Sequence, residues 1–307
     1  MRKLFKICRG PVPLPCFPIF LLFTGFVFLL LFHSLPSHAE NRHLIWSVEG
    51  GQSHVTLMGS IHTLRQDAYP LPEVYQKSYN ESEILVFETD MAQMNDPATQ
   101  ARLLALGMFP EGETLFDHLS VQARGNLENA LQDMGIPPAQ FSRFKPWLCA
   151  LTLVLLELQR LGYSPMHGLD MHFFQRTRQD GKPVRHLEPV EAQIQLLASM
   201  EKDFQEGFLL QSLQELEVLE SMASRMTEAW RTGNAGELDE IIRAEFKGFP
   251  EVFERFLLRR NQEWLPRIED LIRGNENALV IVGAGHLIGR EGLIRMLEAR
   301  GYDVKQQ

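Results

Sequence analysis

An α/β fold, with a central mixed sheet carrying a large helical insertion, is what the 307-residue sequence predicts. Three observations lead there. Short runs of β-branched and aliphatic residues cluster towards the two ends of the chain. Two of these runs finish in glycine, then two residues, then histidine: Gly59-Ser60-Ile61-His62 and Gly283-Ala284-Gly285-His286. Between them, from about residue 97 to 273, the apolar residues recur at helical spacing.

The first forty residues stand apart. Arg2, Lys3, Lys6 and Arg9 precede an uncharged stretch, Phe17 to Phe32, and Ser37-His38-Ala39 follows. A basic start, an apolar middle and a small-x-small end read as a secretory signal cleaved after Ala39, which makes the protein secreted or periplasmic. The apolar stretch would span roughly 24 Å as a helix. An uncleaved, tilted anchor with the domain facing the periplasm is therefore the alternative, and the only membrane attachment expected. The rest, 40–307, reads as a single domain, because no low-complexity linker divides it.

Losing residues 1–39 removes four of the 30 basic residues and none of the 39 acidic ones, so the formal charge moves from −9 to −13. A surface so acidic, without a basic cluster, argues against nucleic acid or anionic lipid as partner. Cys8 and Cys16 leave with the signal, which rules out an intramolecular disulfide and a zinc–thiolate cluster in the mature chain. Cys149, in an apolar helical stretch, reads as a small buried hydrophobe rather than a nucleophile.

In chain order, His43–Val48 and Val55–Met58 read as a hairpin around Gly50-Gly51. Tyr69-Pro70-Leu71-Pro72 leads into a helix over Glu73–Tyr79. Ile84–Phe87 is a short buried strand ending in Glu88-Thr89-Asp90. Trp147 to Leu161 is apolar enough for a buried helix, and too short and polar to span a membrane. Phe204, Phe208, Leu209, Leu213, Leu216, Met222, Met226 and Trp230 form an amphipathic stripe of core character. Lys182 to Glu188 resembles a further strand after a turn at Gly181, again ending in a carboxylate. Ala278–Val282 is the strand of the second glycine–histidine motif, and a helix over Glu291–Arg300 and a strand over Tyr302–Val304 close the chain.

The chemistry lies at strand ends. There is no His-Glu-x-x-His, Gly-x-Ser-x-Gly or P-loop. Gly283-Ala-Gly285-His-Leu-Ile-Gly289 approaches a dinucleotide fingerprint, but its last spacing is one residue too long and the eighteen residues after it leave no room for the second strand with its ribose-binding acid. In an α/β sheet, side chains at the carboxyl ends of neighbouring strands converge on one crevice, so His62, Glu88, Glu188 and His286 are expected together. Two imidazoles and a carboxylate suffice to hold a catalytic divalent ion with a position open for water. Without metal, the same groups could act as histidine base and carboxylate orienter. The bland alternative is that each histidine caps a turn. His118, His167 and His172 have no comparable setting.

The order of several short motifs carries a resemblance. Ile45-Trp46-x-Val48, Gly59-Ser-Ile-His62, Tyr69-Pro-Leu-Pro72 and Val86-Phe-Glu88-Thr-Asp90 are followed by Lys145-Pro-Trp147 and Gly168-Leu-Asp170. Gly181-Lys-Pro-Val184, Leu187-Glu188, Arg260-Asn261 and Gly283-Ala-Gly-His-Leu287-x-Gly289 complete the series. Across residues 44–305 this resembles the TraB/PrgY/GumN family, which includes the animal Tiki proteins. The resemblance implies a metal-dependent peptidase with His62, Glu88 and His286 as catalytic residues and metal ligands. Asp170, Glu188, Arg260 and Asn261 would support them or touch substrate. Ser60 stands where threonine is common, and Arg259 where the family often has an acid.

The function expected is thus a secreted or periplasmic hydrolase using a divalent metal such as Mn, Co or Zn, acting on a peptide or protein. Two alternatives stand beside it: a non-catalytic protein sequestering a peptide or haem-like ligand, and a metal-free, esterase-like hydrolase with His62 as base. The substrate and oligomeric state are not legible in the sequence.

Overall fold

A six-stranded mixed sheet in the order β4-β3-β5-β2-β1-β6 organises the chain. Its strands are β1 (Ile45–Glu49), β2 (Val55–Ser60), β3 (Ile84–Phe87), β4 (Val184–His186), β5 (Ala278–Gly283) and β6 (Asp303–Gln306). The structure is a computed structural model that describes residues 42–49 and 52–307. The expected signal over 1–39 and the Gly50-Gly51 turn lie outside the described residues.

β2, β3, β4 and β5 run parallel to one another; at one side β1 pairs antiparallel to β2, and β6 antiparallel to β1. All residues of β2 and β5 are buried. Their sequences, Val-Thr-Leu-Met-Gly-Ser and Ala-Leu-Val-Ile-Val-Gly, accordingly lack the alternation of a half-solvated strand. The two central strands are direct neighbours, with Gly59 opposite Val282 and Ser60 opposite Gly283. A Cβ on Gly59 would lie 3.1 Å from that of Ala284 and 3.3 Å from that of Leu44, so only glycine lets the second motif cross so close. Trp230 donates its indole N–H to the Gly59 carbonyl at 2.9 Å, tying a helix of the insertion onto the same point.

Several boundaries differ from the sequence reading. The first helix runs Glu73–Glu81, β4 is only three residues long, and β6 begins and ends later than expected. The last helix is Leu293–Ala299, because Gly289 (φ +77°) and Gly292 shape a turn ahead of it. As the sequence reading expected, a strand, β4, interrupts the helical region and enters the sheet in the middle of it.

The stripe from Phe204 to Trp230 is not one face either. The helix breaks between Lys202–Glu215 and Leu219–Arg231. Leu209 and Leu213 pack with Leu115, Leu127, Phe141 and Leu153 in a cluster within the insertion. Trp230 and Met226 join the core around the sheet. The apolar helix lies at Pro146–Arg160 and buries Trp147, Cys149, Ala150 and Leu153, whereas Leu151, Leu155 and Leu156 keep more than a third of their surface exposed. The Cys149 thiol is pushed well above its usual range by burial, as an inert core residue. No helix of the described residues is long and apolar enough to cross a membrane.

Candidate functional site

Four parallel strands deliver their carboxyl ends to one edge, and there the sheet hands over its polar side chains. Glu88 follows β3 directly. Its Oε1 accepts from the Gly283 N–H at 2.7 Å, and its Oε2 accepts from Arg260 Nη2 at 2.6 Å and Gln193 Nε2 at 3.2 Å. Asp90, two residues on, turns away and caps the helix Met91–Met94 by accepting from the N–H groups of Ala92 and Gln93. Of the two carboxylates at this strand end, one is local architecture and one belongs to the site.

His62 lies just past β2. Gly168 presses against its backbone so closely that a Cβ there would fall 2.3 Å from the His62 carbonyl oxygen. This contact starts the helix Leu169–Asp180 beside the strand end, and Asp170 in its first turn reaches His62 Nδ1 at 2.9 Å. The Asp170 carboxylate pushes the imidazole up to about 9, overcoming the opposite effect of burial, with Glu88 adding to it. The His62 side chain is still 59% exposed, with its Nε2 3.9 Å from Glu88 Oε1.

His286 is its opposite in every respect. It sits 4% exposed on the short turn Ala284–Leu287, its ring 4.4 Å from that of Trp264. Nδ1 meets the Asn261 side-chain oxygen at 2.7 Å, which assigns it the proton. Nε2 then accepts from Arg260 Nη1 at 2.9 Å. Burial drives this imidazole down to about 3, so it is neutral at physiological pH.

Arg260 is the hub. It follows a π-helical turn, Glu254–Leu258, that leads into the helix Arg259–Arg273, and wide turns of this kind re-aim the residues beyond them. Its guanidinium binds Glu88, holds Glu188 through Nε and Nη2 at 2.6–3.1 Å, and donates to the Phe256 carbonyl. Glu188, 4% exposed, also accepts from Trp264 Nε1 at 3.1 Å. Glu188 is therefore fully used in anchoring Arg260, while Glu88 still presents Oε1 to the site. Burial opposes ionisation of Glu88. The cationic influence of His286, Arg260 and His62, with the Gly283 N–H, outweighs it and holds the carboxyl at about 2.

The two histidine Nε2 atoms stand 3.9 and 4.0 Å from Glu88 Oε1. Over this triangle a Cβ at Gly283 would lie 3.2 Å from both His62 Nε2 and Glu88 Oε1, so the glycine leaves a small space between the donors. All seven residues expected from the sequence come together here. Gln193 and Trp264 were not expected. Trp264 could have been found as the i+4 neighbour of Arg260 on one helix face; Gln193 carries no signal in the sequence.

A cavity of about 300 Å³ opens beside the triangle, reached by Ser60, His62 and His286. A wider groove of about 710 Å³ in the insertion, between Asn126, Leu156 and Leu213, touches none of these residues.

The TraB/PrgY/gumN family model matches residues 44–306. The chain belongs to the TraB/PrgY/gumN family. Among relatives of the family member described here is "Uncharacterized protein YbaP" of Escherichia coli (strain K12), 28% identical over 247 residues that cover 80% of this chain and 89% of that protein. The protein of the same name in Shigella flexneri is similar to the same extent. No solved structure matches.

A divalent ion would meet suitable chemistry. Asp170 and Asn261 occupy both Nδ1 atoms and leave both Nε2 atoms turned towards Glu88, as supporting partners of metal-bound histidines do. Donors of a four-coordinate site stand about 3.4 Å apart, so the triangle would contract by about half an ångström. Arg260 would also have to release His286 Nε2. As they stand, no three or more His, Cys, Asp or Glu side chains among the described residues are placed to hold a metal ion, so binding would need both adjustments.

Proposed function

We propose that the chain is a hydrolase of the peptidase kind whose reacting edge is His62, Glu88 and His286. The observation that supports this most is the convergence of His62 Nε2, His286 Nε2 and Glu88 Oε1 over the Cβ-free Gly283. A divalent ion held by these three atoms would supply Lewis acidity to a water and to the scissile carbonyl.

The chain's own groups do the remainder. His62 sits at the exposed rim, where an attacking water and the substrate carbonyl arrive together. Its Nε2, free of its proton, would be one of the three donors to the ion, because Asp170 holds the ring's other nitrogen. Asp170 fixes the ring, and the proton lost by the water reaches the leaving amine through solvent at the open rim. Arg260, locked by two carboxylates, keeps Glu88 ionised and pointed at the site. Neutral His286 adds a lone pair without adding charge.

The protein purified without chelator is expected to carry close to one Mn, Co or Zn ion per chain and to cleave peptides from a mixed library. His62→Gln should lose both properties with an unchanged circular dichroism spectrum. If no peptide is cleaved with or without added metal, the proposal fails. Export through residues 1–39 is part of it, and the mass of the secreted protein tests cleavage after Ala39.

A second, metal-free reading rests on Arg260, whose Nη1 already occupies His286 Nε2. There His62 and Asp170 alone would activate water. Cleavage that survives exhaustive chelation selects this reading.

A further inference from the structure

We infer that the site is selective for a substrate residue with a medium-sized apolar side chain, and that the cavity beside His62 is the pocket that receives it. The inference deepens the hydrolase proposal and rests on it for the word substrate, but the binding it invokes can be measured without turnover.

The cavity is built from two sources. The strand ends supply Ser60, His62 and the turn Gly283–His286, and the insertion supplies Met226, Ile242, Phe246 and Leu257. One wall is therefore the reacting edge and the other an apolar surface of four side chains, all only partly buried. At about 300 Å³ it lies at the lower end of the range for ligand pockets, with room for one side chain and not for an extended ligand. An apolar wall of this kind stays costly to leave in water and gains by covering it with another apolar group.

Two further features give the pocket a shape and a handle. Gly285 forms part of it without a side chain, and a Cβ there would come within 3.1 Å of Ile242 Cδ1 and 3.7 Å of Leu257 Cδ2. The glycine holds the space open. Ser60, 3% exposed, lines the same cavity with a buried Oγ that has no hydrogen-bond partner. A buried hydroxyl without a partner is unfavourable by itself, and a ligand whose backbone amide lay along the β2 end would satisfy it. Pocket and hydroxyl together describe one amino-acid residue: an apolar side chain inward and an amide against Ser60.

The test measures binding of N-acetyl-leucinamide, N-acetyl-serinamide and N-acetyl-tryptophanamide to the intact protein by NMR titration. The leucine amide is expected to bind at least about tenfold more tightly than the serine amide. Gly285→Ala should weaken the leucine amide several-fold by narrowing the pocket. Phe246→Ala should shift preference towards the tryptophan amide by widening it. Ser60→Ala should weaken leucine and serine amides by the same factor. Equal binding of the leucine and serine amides, absent binding included, overturns the inference, as does a preference that neither Gly285→Ala nor Phe246→Ala alters. Selective binding without cleavage of any peptide would leave the pocket standing and remove the hydrolase reading.

Discussion

Replacing Arg260 by methionine isolates the device on which the site depends. The change keeps much of the stem volume and removes the guanidinium from between Glu88 and Glu188, whose side chains are 12% and 5% exposed. Two carboxylates then lie in a low-dielectric setting with no guanidinium between them, and His62, 3.9 Å from Glu88, is the cation left beside one of them. Removing one partner of a buried ion pair costs about 3–5 kcal/mol, because the other is left desolvated. With two carboxylates stranded, the upper part of that range applies at neutral pH. For a domain of this size that is roughly a 10 °C fall in Tm. The loss must also depend on pH. Glu88 is held at about 2 by His286, Arg260 and His62 together, so in the variant, which loses the guanidinium, its carboxyl rises and protonates at a higher pH. Urea unfolding at pH 7.5 and 4.5 should show the difference between wild type and Arg260→Met shrinking at the lower pH. Adding Glu188→Gln to the variant should recover part of the stability. Arg259→Met, which breaks only an exposed pair with Glu254, should cost less than about 1 kcal/mol. A loss below about 1 kcal/mol for Arg260→Met, or an equal loss at both pH values, would refute this account of the hub.

Three other outcomes follow from the same geometry. Asp170→Asn should return the His62 pKa from about 9 towards 6.5, a downfield-to-upfield change followed by NMR titration of the ring, with His286 unmoved. Overall stability should pass through its largest site contribution near pH 6.5. The His62 share is complete below 6.5 and fades as pH rises through about 9. The neutral His286 disfavours the fold as pH falls from 6.5 towards about 3, since the unfolded chain then binds the proton that the native ring refuses. Calorimetry across pH 3.5–9.5 checks both arms, and a flat profile would contradict them. Gly283→Ala places a methyl group 3.2 Å from His62 Nε2 and Glu88 Oε1; a tenfold or greater loss of divalent-ion binding by isothermal titration, with Tm lowered by only a few degrees, is expected.

The helix over residues 202–231 shows where reading the sequence stops. Its apolar spacing is continuous, yet the break after Glu215 sends Leu209 and Leu213 to one cluster and Trp230 to another. Periodicity records that a residue is covered, and says nothing of which neighbour covers it. The same holds at Glu88 and Asp90. Both stand at the end of a buried run, and only the direction of the chain beyond β3 separates the site carboxylate from the helix cap.

By itself, the sequence determined the α/β class, the four strand ends and the candidacy of His62, Glu88 and His286. Those features are local: a run of branched side chains, a glycine that permits a turn, a polar residue beyond it. Only the tertiary structure decided that the two histidines are unlike. One is exposed beside Asp170 and driven up, and the other is sealed against Trp264 and Asn261 and driven down. It also decided that Glu188 serves Arg260 and that Arg260 joins three strand ends at once. Proton affinity and ion pairing depend on burial and on charges brought from far along the chain, and neither is written in the spacing of residues.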